Sequence, residues 1–270
     1  MSSSDLDASG SDAAGAGAGK LRLLCLHGFM QTGALFRSRI GSMRKALKSR
    51  AEFEFLDAPF QVADAVTPEQ LAQFGGNGGG GLTWFKWRDA APGKRPSQST
   101  QYQDFEITYE SMISGLRQHS PDGLLGFSQG ATAAALLLAQ LAERQAGGHD
   151  LDVRPPRFAI LCAGFLPRDP AYSSLLERAR VAVPTLFVLG DADALVPPER
   201  TLELVATFDP AAAQLLRHPG AHMLPTCSGA IKAAMAEFLD GFKGAAEAGG
   251  GGGEGTAAEA EAEASAAVGA

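Results

Sequence analysis

Pro121-Asp122-Gly123-Leu124-Leu125-Gly126-Phe127-Ser128-Gln129-Gly130-Ala131-Thr132-Ala133-Ala134-Ala135 is the stretch from which the rest of the chain is read. Leu124-Leu125 begins a short apolar strand, Gly-Phe-Ser-Gln-Gly is a sharp turn, and Ala131 to Leu141 is an Ala- and Leu-rich helix. The Gly-x-Ser-x-Gly spacing is that of a nucleophile elbow, a strained strand-to-helix turn that lifts a serine hydroxyl above the end of a sheet. Glycine is needed on both sides of the serine for steric reasons. A Cβ at either position would collide with the neighbouring strand or helix. Five-residue motifs recur by chance, so the apolar run before it and the helix after it carry the reading.

Outward from this turn the chain alternates strands and helices. Leu21 to Leu26 is a compact apolar run that feeds the glycine loop His27-Gly28-Phe29-Met30-Gln31. Residues 33 to 48 carry apolar Leu35, Phe36, Ile40, Met43, Ala46 and Leu47 between basic residues, which predicts an amphipathic helix. Glu52 to Leu56 reads as the next strand, closed by Pro59, and residues 103 to 118 as a helix leading to the elbow strand. Further strands are expected over Arg157–Phe165, Val183–Gly190 and Gln214–His218, with helices over Pro198–Thr207 and Ile231–Phe242. Strand, helix, strand in this rhythm predicts an α/β fold: a mostly parallel central sheet with helices on both faces.

Phe60 to Gln101 breaks the rhythm with a glycine-rich insertion, Gly75 to Gly81, followed by Leu82-Thr83-Trp84-Phe85-Lys86-Trp87. Both tryptophans of the protein fall here. They are read either as a patch on the core edge or as a lid or wall of a substrate cleft, which makes Trp84 and Trp87 candidate substrate-binding residues.

Composition bounds the remaining possibilities. Residues 1–19 hold mainly Ser, Ala, Gly and Asp, and residues 244–270 mainly Ala, Gly and Glu. Neither stretch has the apolar content to offset the entropy of ordering it, so both are expected to be disordered tails around one domain over residues 20–243. The tails contain Asp5, Asp7, Asp12, Glu247, Glu254, Glu259, Glu261 and Glu263 and no base. Removing those eight acids from the formal net charge of −7 leaves the core near +1. That balance gives no basic stripe for nucleic acid. Cys25, Cys162 and Cys227 are an odd number without paired or metal-ligand spacing, which points to free thiols and a reducing compartment. No metal or cofactor is expected. With no apolar run of membrane-spanning length and no leader-like segment, a cytoplasmic location is the expectation.

A serine hydroxyl becomes a nucleophile when a base takes its proton, and a carboxylate then orients that base. Ser128 is followed by an acid after the Leu186–Leu189 run and a histidine after Leu215–Arg217, the chain order Ser, Asp, His. His218 and His222 are the two histidines late enough. His222, in the Gly-Ala-His loop, is placed to swing over the sheet edge, whereas His218 closes the strand. Asp191 and Asp193 compete for the acid. Asp191 directly follows Gly190 as a turn or cap residue, so Asp193 is favoured, with Asp169 and Asp209 weaker. Oxyanion donors are expected at the backbone N–H of Gln129 and, from the loop after the first strand, of Phe29.

Four motifs in order resemble the FSH family of serine hydrolases: Leu-His-Gly-Phe-x-Gln at Leu26–Gln31, Gly-Phe-Ser-Gln-Gly-Ala at Gly126–Ala131, Gly-x-x-Asp-x-x-Val-Pro at Gly190–Pro197, and Gly-x-His at Gly220–His222. Asp57-Ala58-Pro59, Trp84 to Trp87 and Tyr109-Glu110-Ser111 also fit that layout. The resemblance spans Leu21 to about Phe242. It implies an α/β-hydrolase fold, a Ser128, Asp193, His222 triad, and hydrolysis of carboxylic esters without a cofactor. The insertion and both tails depart from the family. Thioester hydrolysis or acyl transfer would use the same groups. A ligand-binding module on the same scaffold is the reading from a different class.

Overall fold

The structure, a computed structural model, describes residues 19–73, 80–87, 89 and 95–243. The expected tails, apart from Gly19, and most of the Gly75–Gly81 insertion lie outside the described residues. Six strands form one parallel sheet: β1 (Leu21–Leu26), β2 (Ala51–Leu56), β7 (Gly123–Phe127), β8 (Phe158–Cys162), β9 (Thr185–Gly190) and β10 (Ala213–His218). Their order is β10-β9-β8-β7-β1-β2. Between β2 and β7 the chain makes two short antiparallel ribbons, β3 (Phe60–Gln61) with β4 (Leu82–Thr83), and β5 (Lys86–Trp87) with β6 (Tyr102–Gln103).

Alternate residues of each buried strand feed two cores. Leu24, Leu26, Ala159, Leu161 and Phe187 face one side, while Leu23, Cys25, Phe158, Ile160 and Leu186 face the other. On the first side lie α5 (Phe105–His119), α6 (Gln129–Ala146), α7 (Pro170–Ala179) and α8 (Pro198–Val205). On the second lie α1 (Gly33–Arg39), α2 (Gly41–Ala46) and α9 (Gly229–Asp240). Two short helices, α3 (Val62–Ala65) and α4 (Pro68–Gln73), fill part of the β3–β4 excursion.

The predicted helix over 33–48 is two helices, interrupted at Ile40. Phe36, Ile40, Met43 and Leu47 nevertheless share one face and are buried in the second core, whereas Leu35 is exposed. α7 was not anticipated, although Asp169-Pro170 marks its start. The Asp169 side chain accepts from the Ala171 N–H at 3.0 Å, and proline occupies the first turn.

The strand order reverses direction between β1 and β7. The chain leaves β1 toward α1 on one face and leaves β7 toward α6 on the other. The loops beyond the carboxyl ends of those strands therefore diverge and leave a crevice, the place where open α/β sheets bind ligands.

Candidate active site

Ser128 sits at the carboxyl end of β7 with φ 52° and ψ −118°, a strained conformation for a residue carrying a Cβ. Two close approaches hold it there. A Cβ on Gly126 would lie 2.5 Å from Ala131 Cα of α6, and one on Gly130 would lie 2.3 Å from the Leu26 carbonyl oxygen of β1. The glycine spacing of the motif thus records how tightly α6 packs on its own strand and on the next. The Ser128 N–H donates to the Cys162 carbonyl of β8 at 2.8 Å, fixing the turn from the other side.

Three loops bring the predicted partners together. His222 Nε2 is 2.9 Å from Ser128 Oγ, and His222 Nδ1 is 2.7 Å from Asp193 Oδ2. Asp193 Oδ1 accepts from the backbone N–H groups of Leu195 and Val196 at 2.9 and 2.8 Å. Burial opposes ionisation of Asp193. The hydrogen bonds from His222, Val196 and Leu195 outweigh it and hold the carboxyl below its ordinary pKa. A buried carboxylate kept ionised beside an imidazole favours the tautomer with its proton on Nδ1, which leaves Nε2 free to accept from the serine. The acid and histidine loops are locked to each other: Ala192 N–H donates to Gly220 O at 3.2 Å, and Asp191 N–H to His218 O at 2.8 Å.

The competing residues have other partners. Asp191 Oδ1 pairs with Arg217 at the exposed sheet edge. His218 Nδ1 accepts from the Gly220 N–H at 3.1 Å, inside the loop that carries His222. Asp169 caps α7 and accepts from the Tyr102 N–H, while Asp209 accepts from the Ala211 N–H.

Phe29 and Gln129, the expected oxyanion donors, both line a cavity of about 590 Å³ that also exposes Ser128 and His222. Gln129 is the first residue of α6, so its N–H is at the positive end of the helix dipole. Its side chain, to which sequence reading gave no role, is buried. The amide oxygen accepts from the Trp84 N–H at 2.9 Å and the Thr83 hydroxyl at 3.1 Å. The Trp84 indole N–H in turn donates to the His27 carbonyl at 2.8 Å, which ties the loop after β1 to the same brace. His27 accepts from the Ala58 N–H at Nε2, which leaves the Nδ1 proton to the Gly28 carbonyl. Burial lowers its pKa against the bond to Gly28 and the charge of Asp57.

Of the two tryptophans, only Trp87 lines the cavity. Trp84 is fully buried behind the loop after β1 and is not among the residues lining the cavity. The Leu82–Trp87 segment braces the loop: Met30 and Leu82 N–H groups donate to Leu82 and Gln31 carbonyls at 3.0 and 2.9 Å. Gly81 packs so closely that a Cβ would lie 2.6 Å from Met30 Cα. Phe29, Trp87, Phe127, Phe165, Leu195 and Val196 give the cavity its apolar walls. Among the described residues no group of His, Cys, Asp or Glu could hold a metal ion, and no helix is long and apolar enough to cross a membrane.

A serine at a strained β7–α6 turn, with acid and histidine loops at the carboxyl ends of later strands of one parallel sheet, defines an α/β hydrolase. Similarity of sequence narrows the class. A family model described as "Serine hydrolase (FSH1)" matches residues 18–234, and the chain belongs to that family. Esterase OVCA2 of Bos taurus is 34% identical over 235 residues, covering 82% of this chain and 96% of the relative. The Homo sapiens protein of the same name is 34% identical, with the same coverage. Esterase CG5412 of Drosophila melanogaster is 33% identical, covering 76% of this chain and 69% of its own length. Among solved structures, Arabidopsis thaliana SOBER1 L63A shares the fold at TM-score 0.57 and 16% identity, covering 82% of this chain and 98% of its own. Esterase PE8 does so at TM-score 0.56 and 21% identity, covering 83% and 94%. The protein is a serine esterase.

Proposed function

We propose that the protein hydrolyses carboxylic esters through an acyl-enzyme on Ser128. The observation that carries this is the hydrogen-bonded chain from Ser128 Oγ through His222 to Asp193, opening onto an apolar cavity. Ser128 Oγ attacks the ester carbonyl carbon as His222 Nε2 takes its proton. Asp193 holds the imidazole in place and stabilises the imidazolium. The N–H groups of Phe29 and Gln129 receive the developing oxyanion, at about 3–4 kcal/mol per donor in measured cases. His222 passes its proton to the leaving alcohol. Water then attacks the acyl-enzyme, its proton going first to His222 and then back to Ser128 as the acid departs.

The aromatic and aliphatic walls favour an acyl chain that is largely apolar over most of its length. One catalytic domain over residues 20–243 carries this activity without a cofactor, and its buried free thiols suit a reducing, cytoplasmic setting.

Labelling with a fluorophosphonate probe, wild type beside Ser128→Ala, tests the nucleophile. Hydrolysis of p-nitrophenyl esters of increasing chain length tests the walls. The expected result is labelling and turnover that vanish together in the variant, with kcat/KM rising with chain length. Labelling that persists in Ser128→Ala would overturn the assignment.

A further inference from the structure

We propose that Arg39 and Arg95 form an anion subsite at the cavity mouth, so that the preferred substrate is an ester or thioester bearing a carboxylate or phosphate away from the scissile carbonyl. This deepens, and rests on, the reading of Ser128 as the esterase nucleophile.

The two arginines come from distant parts of the chain, Arg39 from the last turn of α1 and Arg95 from the segment just before Pro96. Both line the cavity that holds Ser128 and His222, and among the described residues its lining includes no carboxylate side chain. Neither has a carboxylate partner among the described residues, although other arginines on the surface do: Arg50 with Asp240, Arg154 with Asp122 and Arg217 with Asp191. The nearby acids are already engaged. Asp57 accepts from the Gly33 N–H at 2.6 Å, and Asp193 is committed to His222. Asp89, closest to Arg95 in sequence among the acids, accepts from Ser99 and from the Thr100 N–H and hydroxyl.

Two permanent positive charges thus line this cavity without a carboxylate partner among the described residues. A guanidinium presents a rigid fork that matches a carboxylate or phosphate, and it does not deprotonate. Both side chains reach solvent. An anionic group can therefore stay at the mouth, partly hydrated, while the acyl body lies along Phe29, Trp87 and Phe165. The same charges raise the encounter rate of an anion at low ionic strength.

The test pairs substrates that differ only in charge, namely mono-p-nitrophenyl adipate against p-nitrophenyl hexanoate, and an acyl-coenzyme A against its N-acetylcysteamine thioester. Each ratio of kcat/KM, anionic over neutral, is measured in wild type and in the Arg39→Gln/Arg95→Gln double variant after fluorophosphonate labelling has confirmed a competent serine. The ratio is expected to fall about tenfold or more in the double variant, the size of one lost charge-assisted contact. In wild type it should fall as salt rises from low to about 0.5 M. A selective fall with the adipate assigns a carboxylate on the acyl side, and one with coenzyme A assigns phosphate on the leaving side. Unchanged ratios in both pairs, with no salt dependence in wild type, overturn the subsite. Loss of labelling in wild type would instead overturn the esterase reading beneath it.

Discussion

Replacing Asp193 by asparagine keeps the side chain's shape and removes its charge, and the hydrogen bonds around it dictate the consequence. Oδ1 accepts from two backbone N–H groups, Leu195 and Val196, so the amide oxygen must occupy that position. The opposite flip would set an NH₂ against both donors and cost about 1–3 kcal/mol for each group left unpaired. With the oxygen fixed, the amide NH₂ points at His222 Nδ1. Two donors cannot face each other across 2.7 Å, so the imidazole proton moves to Nε2, toward Ser128 Oγ. The histidine can then no longer accept the serine proton. The same change of tautomer in a measured serine enzyme lowers kcat about 10,000-fold, or about 5.5 kcal/mol. The assay is kcat and KM for a p-nitrophenyl ester, with the melting temperature and the rate of fluorophosphonate labelling as controls. Turnover and labelling rate should collapse together while the variant stays folded. Asp193→Asn within about tenfold of wild-type kcat would refute the argument. Asp191→Asn breaks only an exposed pair with Arg217, worth about 1 kcal/mol or less, and should leave kcat within about twofold.

The remaining predictions concern the supports of the site. Gly130→Ala forces a Cβ to within 2.3 Å of the Leu26 carbonyl, and should cost about 1–3 kcal/mol of stability together with most of the activity. A melting temperature within about 1 °C of wild type would show that α6 shifts without penalty. Trp84→Phe removes the donor to the His27 carbonyl and should destabilise by about 1–3 kcal/mol. It should also lower kcat more than it raises KM, because it loosens the brace on Gln129; an effect confined to KM would refute that role. Burial lowers the pKa of His27, so the unfolded chain binds a proton at a higher pH than the native protein does. Its contribution to stability is therefore intact above about pH 6.5 and is lost as pH falls below that toward the native value. An NMR titration of the native protein should show the His27 midpoint below 6.5, and a midpoint at or above 6.5 would contradict the burial argument.

Much of this molecule was legible before any coordinates, for reasons local to the chain. The elbow is a five-residue steric requirement, so Gly126, Ser128 and Gly130 announce it wherever the strand and helix around them are apolar. Apolar runs such as Leu21–Leu26 and Phe158–Cys162 are long enough for a strand buried on both faces and too short for a helix. Their alternation with helices sets a parallel sheet. That topology places Ser128 and the candidate Asp and His loops at the carboxyl ends of strands.

Side-chain direction and close packing belong to the tertiary structure. Asp191 and Asp193 share one turn, and His218 and His222 one loop; only the fold shows Asp191 turned to Arg217 and His218 turned back on its own loop. Trp84 and Trp87 are three residues apart in one aromatic segment, yet only Trp87 reaches the cavity. The grip of Thr83 and Trp84 on the Gln129 amide joins residues remote in sequence, and no local pattern encodes it. The placement of Arg39 and Arg95 on one cavity is of the same kind. Sequence determined what the chain must form locally; three-dimensional packing decided which polar groups face one another, because that depends on surfaces contributed by the rest of the chain.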